Sequence, residues 1–231
     1  MRVIELKASV SEENDRTADE VRRKMKEQGT LLVNLMSSPG SGKTTLLGRI
    51  IDDIGKKVRI GVVEADIDAK VDAERIVGHG ARSIQVHTDG MCHMDAGMTK
   101  RSLDEMGCEG LDLAFLENVG NLICPAEFDT GAGLDVMILS VPEGDDKPLK
   151  YPLMFMKSHA LVITKTDTLP VFDFNIDECI ARARKLNPDI QVFPVSAKTG
   201  EGMEALENWL IGRMDDWKNS IDATSVGNGC C

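Results

Sequence analysis

With 231 residues, 42% of them hydrophobic, the chain can bury a sizeable core and reads as one α/β domain. Its 38 acidic against 27 basic residues leave a formal charge of −11, which excludes a sequence-independent grip on nucleic acid because no surplus of cations displaces counterions from phosphates. No apolar run approaches the ~20 residues of a membrane span, Met1-Arg2-Val3-Ile4-Glu5 lacks a signal-peptide layout, and six scattered cysteines make no disulfide framework, so a cytoplasmic protein with free thiols and no membrane partner is expected.

In chain order, residues 1–10 read as an edge strand or extended arm. Ser9-x-x-Glu12 reads as a capping box that opens a helix to about Gln28, ended by Gly29. Ala18, Val21 and Met25 give that helix a narrow apolar stripe, so it is expected to lie on the outside of the domain or to serve a partner, with residues 1–30 set apart as an N-terminal arm and helix. Residues 31–36 are a buried strand, and a helical pattern that Gly55 closes follows the turn after it. Further strands are expected at 58–63, 83–87, 111–116, 134–141, 159–164 and 190–195, with helices at 95–106, 176–186 and 203–214. Strands apolar throughout and alternating with helices indicate a mostly parallel sheet covered on both faces, with ligands at the carboxyl ends of the strands. The domain is expected to span 31–217, with 218–231 a frayed tail.

Between the first strand and helix lies Ser37-Ser38-Pro39-Gly40-Ser41-Gly42-Lys43-Thr44-Thr45. Small residues let backbone N–H groups converge on one point, Lys43 adds a charge there, and the Thr44 hydroxyl suits a Mg²⁺ shell; this is the phosphate-loop pattern, with Ser37 where the strict form has Gly. Gly40, Ser41, Gly42, Lys43, Thr44 and Thr45 are therefore the phosphate-binding candidates. Asp66 and Glu117 are placed at strand ends to join Thr44 around Mg²⁺, Asp72 to position or deprotonate the attacking water, and Gly120 to meet the γ-phosphate from a loop that moves when that phosphate leaves. Lys165 and Asp167, in Thr164-Lys165-Thr166-Asp167, suit guanine: a carboxylate accepts from both N1–H and N2–H₂, and the Lys stem covers the ring. Ser196, Ala197 and Lys198 form a second strand-end turn able to approach the guanine O6. Thr164 stands where the Asn of Asn-Lys-x-Asp is usual. Phosphate loop, Lys-x-Asp and Ser-Ala-Lys in this order resemble the GTPase signature set, so GTP is the expected nucleotide, with Lys43, Asp72 and Glu117 the catalytic candidates. No Arg is placed as a cis finger, so intrinsic hydrolysis is expected to be slow.

Cys92-His93 and Cys124 offer two thiols and an imidazole, a donor set that suits Zn²⁺ or Ni²⁺ equally; the same residues also read as packing groups. His79, His87 and His159 lack a thiol neighbour and read as structural or surface residues, and Cys108 and Cys179 read as packing groups. Cys230-Cys231 reads as a pair without function in a loose tail.

With Ser-Ser-Pro-Gly-Ser-Gly-Lys-Thr-Thr, Glu-Ala-Asp-Ile-Asp, Cys-His, Glu-Asn-Val-Gly-Asn-Leu-Ile-Cys-Pro-Ala-Glu-Phe-Asp and Ser-Ala-Lys-Thr-Gly together, residues 31–214 resemble the HypB family, GTPases that assist nickel insertion into nickel–iron hydrogenases. The resemblance implies a GTP-dependent homodimer with metal at its interface, bound by Cys92, His93 and Cys124. It also implies a HypA-type metallochaperone partner at the N-terminal segment, delivery to the hydrogenase large subunit precursor, and a Lys150 that reaches the nucleotide of the other subunit. The Cys-rich or His-rich N-terminus of many bacterial members is absent from residues 1–30. Two other expectations stand beside this one. The urease-type nickel-insertion GTPase carries Cys-Pro-His, whereas Cys92 and His93 are adjacent here; a GTP-driven assembly factor would use the same thiols only for packing.

Overall fold

A computed structural model describes residues 6–66 and 78–225. All seven strands are parallel: β1 (Leu31–Ser37), β2 (Ile60–Asp66), β3 (Arg82–His87), β4 (Leu113–Glu117), β5 (Leu134–Ser140), β6 (Ala160–Thr164) and β7 (Gln191–Pro194) lie in the order β3-β2-β4-β1-β5-β6-β7. β1 is buried along its whole length. Its Leu31, Val33 and Leu35 join one core, and Leu32 and Met36 join cores on the other face, which is why its sequence is apolar at successive rather than alternate positions.

One face is covered by α2 (Lys43–Ile54) and by the final helix. Leu46, Leu47, Ile50 and Ile51 of α2 meet Met203, Leu206, Leu210 and Met214 across the odd-numbered residues of β1. The other face carries α1 (Leu6–Glu27), α3 (Ala96–Met106), the short helices α4 (Cys124–Glu127), α5 (Lys147–Lys150) and α6 (Pro152–Lys157), and α7 (Ile176–Leu186). Asp95 starts α3 by accepting the Met98 N–H at 2.7 Å, and Asn175 caps α7 in the same way.

Three expectations are corrected. From Leu6 onward the segment read as an extended arm is helical, so Ser9 lies inside α1 rather than at its cap; residues 1–5 lie outside the described residues. Nor does α1 stand off the domain: Ala18, Val21 and Met25 are all buried, the last two in a core with Leu32 and Leu103, and Lys24–Asp104 and Glu20–Lys100 ion pairs tie it to α3. An apolar stripe too narrow to read as core-facing suffices here, because ionic contacts flank it. Finally, the last helix, α8 (Met203–Ser225), continues well past Met214. Trp217 packs on the core and Lys218 pairs with Asp112 at 2.7 Å, so the expected frayed tail is helical to Ser225. Residues 226–231, with Cys230 and Cys231, lie outside the described residues. No described helix is long and apolar enough to cross a membrane.

Candidate functional site

Loops from the carboxyl ends of β1, β2, β4 and β6 enclose a cleft of about 530 Å³. Gly40, Gly42, Lys43, Thr44, Thr45, Glu64, Glu117, Gly120 and Lys165 are among its lining residues. Gly42 sits at φ +96°, a left-handed conformation that side-chain-bearing residues rarely adopt, and starts α2 without any side-chain cap on the first turn. Lys43, Thr44 and Thr45, the first turn of this twelve-residue helix, line the cleft, so its positive end suits an anion there. Ser37, at the position of the consensus Gly, is fully buried; its Oγ accepts from Lys43 Nζ at 2.7 Å and from Ser41 Oγ at 2.6 Å, holding the lysine along the loop.

Opposite the loop, Thr44 Oγ1 donates to Glu117 Oε1 at 3.0 Å. A hydroxyl and a carboxylate meeting at the mouth of a phosphate cradle are hard oxygen donors of the kind Mg²⁺ takes. Asp66 ends β2, but its side chain and all of Asp72 lie outside the described residues. The sequence pattern ended the second strand at residue 63, whereas β2 extends to Asp66. Glu64 is therefore a strand residue, buried beside Glu117 in the sheet register and lining the cleft. The available signal was a carboxylate embedded in an apolar run, Val62-Val63-Glu64-Ala65. Gly120 packs against the phosphate loop so closely that a Cβ there would lie 2.9 Å from the Pro39 nitrogen, so the loop after β4 touches the cradle directly.

The loops after β6 and β7 are joined to the cradle. Lys165, at φ +61°, donates from Nζ to the Gly40 carbonyl at 2.7 Å, and the Thr164 hydroxyl donates to the Ser41 carbonyl at 2.7 Å. Thr164 thus ties one loop to the other where an Asn amide was the usual expectation. Ser196 Oγ donates to Asp167 Oδ1 at 2.7 Å, bringing the Lys-x-Asp and Ser-Ala-Lys turns together. Ala197 lines a neighbouring hollow with Thr44 and Thr45, and Lys198 is exposed. Lys150 is not brought to this cleft; it lies exposed on α5, paired with Asp146 at 2.5 Å.

Cys92, His93 and Cys124 come together although β3 and β4, whose loops carry them, are separated by β2. Their ligand atoms lie within 4.8 Å of one another, Cys92 Sγ being 2.9 Å from Cys124 Sγ and 3.7 Å from His93 Nδ1. A tetrahedral ion with metal–sulfur bonds of about 2.3 Å separates two sulfurs by roughly 3.7 Å, so loading such an ion parts the thiols slightly. The hydrogen bond with Cys92, followed by burial, raises the Cys124 pKa. Burial lowers that of His93, favouring the neutral imidazole a metal needs. The His93 ring stacks on Phe128 at 3.9 Å between centroids, and its buried Nε2 has no hydrogen-bond partner. Among the described residues this is the sole group of three such donors.

Asparagines that sequence reading did not single out knit the two sites. Asn118, fully buried, accepts from Met94 N at 3.0 Å and donates to Asn34 Oδ1 at 3.1 Å, linking the residue after Glu117 to the residue after His93. Asn121 accepts from Ile123 N at 2.9 Å and donates to the Cys92 carbonyl at 3.4 Å. Of the other histidines, His159 Nδ1 accepts from Asp135 N, His79 pairs with Asp52 at 2.6 Å, and His87 is exposed. Buried Cys108 and Cys179 have pKa values pushed up to about 11 and about 12 by desolvation, as suits packing thiols.

A parallel doubly wound sheet with this cradle defines a P-loop nucleotide-binding protein. Residues 31–194 match the family model described as "CobW/HypB/UreG, nucleotide-binding domain". The hydrogenase maturation factor HypB of Rhizobium leguminosarum bv. viciae is 47% identical over 209 residues, covering 90% of this chain and 70% of that protein. The hydrogenase/urease maturation factor HypB of Helicobacter pylori strain J99 is 38% identical over 212 residues, covering 90% and 87%. In three dimensions, the crystal structure of HypB from Helicobacter pylori in complex with nickel superposes with a TM-score of 0.84 at 38% identity, covering 88% of this chain and 96% of that one. The chain belongs to the CobW/HypB/UreG family, within it to the HypB hydrogenase maturation factors. The signal recognition particle 54 kDa protein of Aeropyrum pernix K1, at 14% identity and a TM-score of 0.56, shares the fold.

Proposed function

We propose that the chain is a GTP-hydrolysing metallochaperone that couples a GTP/GDP dimer switch to nickel delivery into nickel–iron hydrogenase. The observation that carries this is continuity: the segment from Glu117, which touches Thr44, through Gly120, which abuts the phosphate loop, ends at Cys124 beside Cys92. A change of γ-phosphate occupancy that moves Gly120 therefore also moves a metal ligand, and Asn118 carries the same displacement to the backbone beside His93.

In this mechanism the amides of residues 40–45 and Lys43 hold the β- and γ-phosphates, Lys165 and Asp167 hold guanine, and Ser196, Ala197 and Lys198 close over its edge. Thr44 and Glu117, with Asp66, would hold Mg²⁺, which when bound neutralises charge on the transferred phosphoryl group. Asp72 positions the attacking water. The cargo is Ni²⁺ or Zn²⁺ on Cys92, His93 and Cys124, and the exposed apolar Ile123 and Met91 beside these ligands suit a second copy docking over the cluster, with Lys150 reaching across. A HypA-type metallochaperone and the hydrogenase large subunit precursor are the partners in this scheme.

The test is metal stoichiometry and molecular size in GDP and in a non-hydrolysable GTP analogue, for the unmutated chain, Cys92→Ala and Cys124→Ala. Stoichiometric Ni²⁺ or Zn²⁺ that requires both thiols and changes affinity between nucleotides is expected. Metal independent of both thiols would overturn the proposal and leave a GTP-driven assembly switch.

A further inference from the structure

Asn14 lies on the inward stripe of α1, one turn before Ala18, and is partly buried. Its side chain makes two long-range hydrogen bonds at once: Nδ2 donates to the Asp129 carbonyl at 2.9 Å, and Oδ1 accepts from Ala96 N at 3.0 Å. Ala96 is the third residue after His93, and Asp129 the fifth after Cys124 and the next after Phe128, on which His93 stacks. One amide thus spans the two backbone segments that carry the thiol and imidazole ligands. Arg22, two turns farther along α1, grips the same second segment through both Asp129 carboxylate oxygens at 2.8 Å. Within the second segment, Asp129 Oδ1 also accepts from Gly131 N at 2.8 Å, so the grip falls on an ordered turn.

We infer that Asn14 is a positioning residue for the metal site: α1 is part of the scaffold that sets the separation of His93 and Cys124, although no α1 residue supplies a ligand. The two bonds have opposite polarity, one donated and one accepted, which an amide satisfies and neither a carboxylate nor an aliphatic chain can. Without Asn14 the Ala96 amide at the start of α3 loses its acceptor, and the Phe128–Asp129 limb keeps the Arg22 hydrogen bonds to α1 but loses the one beside the ligands. The imidazole and the Cys124 thiol then sample a wider range of separations, which weakens a site that depends on fixed ligand geometry.

This inference rests on the metal role of Cys92, His93 and Cys124, and its test keeps the two apart. Ni²⁺ binding is followed by thiolate-to-nickel charge-transfer absorption, and release by transfer to a chelator, on the full GDP-bound chain. The samples are the unmutated protein, Asn14→Ala, Asn14→Asp and the control Lys100→Ala, which breaks the exposed Glu20–Lys100 ion pair between α1 and α3. Asn14→Ala is expected to weaken Ni²⁺ binding about tenfold, the lower end of what losing a group behind the ligands costs, and to speed release to match. Asn14→Asp, which keeps an oxygen for Ala96 N and loses the donor to Asp129, is expected to fall between and keeps the test open if the alanine variant does not fold. Lys100→Ala is expected to bind Ni²⁺ as the unmutated chain does, even where its thermal midpoint falls. Unchanged affinity, spectrum and release rate in the folded Asn14 variants would overturn the inference. Absence of thiol-dependent Ni²⁺ in the unmutated chain would overturn the metal assignment itself and this inference with it.

Discussion

In the nucleotide cleft, the phosphate-holding groups come from one unbroken stretch after β1, whereas the thiol cluster takes Cys92 and His93 from the loop after β3 and Cys124 from the loop after β4. The cradle is pre-shaped locally, by Gly42 in a conformation few residues adopt and by Ser37 holding Lys43. The cluster forms where the sheet order puts two loops on either side of β2, and Asn14, Asn118 and Asn121 make hydrogen bonds to the segments that carry it. A site built from one segment resists changes elsewhere in the fold, whereas one assembled from two loops responds to whatever shifts either. In the proposed mechanism that asymmetry makes the nucleotide site the stiff driver and the metal site the compliant follower.

The sharpest way to break this comparison is Lys43→Ala. Removing the phosphate-loop lysine is expected to cut single-turnover GTP hydrolysis by about 100-fold or more. Nickel uptake by the nucleotide-free protein should stay at the unmutated level, and a parallel loss of nickel would show that the two sites do not separate. A second, smaller effect tests the base-reading loop. Asp167 is positioned by Ser196, and Asp167→Ala is expected to lower the preference for GTP over ATP by about 100-fold in competition binding, since the guanine N1–H and N2–H₂ donors then lose their acceptor. Unchanged discrimination would remove the guanine assignment while leaving the phosphate cradle intact.

The smallest expected effect concerns stability on the driver's side of the sheet. Glu207 of α8 is buried near Asp53 and Arg49 of α2; desolvation, reinforced by Asp53, raises its pKa to about 7. Folding therefore takes up a proton between the unfolded carboxyl value near 4.5 and about 7, so the stabilisation is complete below the lower value and is lost as pH rises through the upper one. Glu207→Gln mimics the protonated form. It is expected to match the unmutated chain in urea titrations near pH 4.5 and to exceed it at pH 8 by on the order of 2 kcal/mol. Equal midpoints at both pH values would show that burial does not hold the Glu207 carboxyl protonated.

Much of the cleft was legible as a linear pattern because the phosphate loop needs consecutive small residues, a Lys and a Thr immediately before a helix, and that spacing survives in one dimension. The same holds for Lys165, Asp167 and Ser196, which sit at the ends of strands that read as continuous apolar runs. Glu64 escaped because its role depends on β2 continuing to Asp66, a boundary that sheet pairing with β3 and β4 decides rather than local propensity. The N-terminal helix was set apart from the domain for a related reason: three apolar residues on a charged helix carry no mark of the ion pairs and of the Asn14 bridge that complete its interface. The extension of α8 beyond Met214 was likewise invisible, because Trp217 and Lys218 find their partners in β1 and just ahead of β4.

Composition, the order of strands and helices, the phosphate loop and the candidate ligands Cys92, His93 and Cys124 were therefore determined by the sequence alone, since each is a property of residue type and of spacing along the chain. Tertiary structure alone decided that the three ligands meet, that Glu64 and Glu117 lie side by side, and that an asparagine on the first helix spans both ligand-bearing segments. These are contacts between residues far apart in sequence, and what sets them is the pairing order of the strands, which no local pattern encodes.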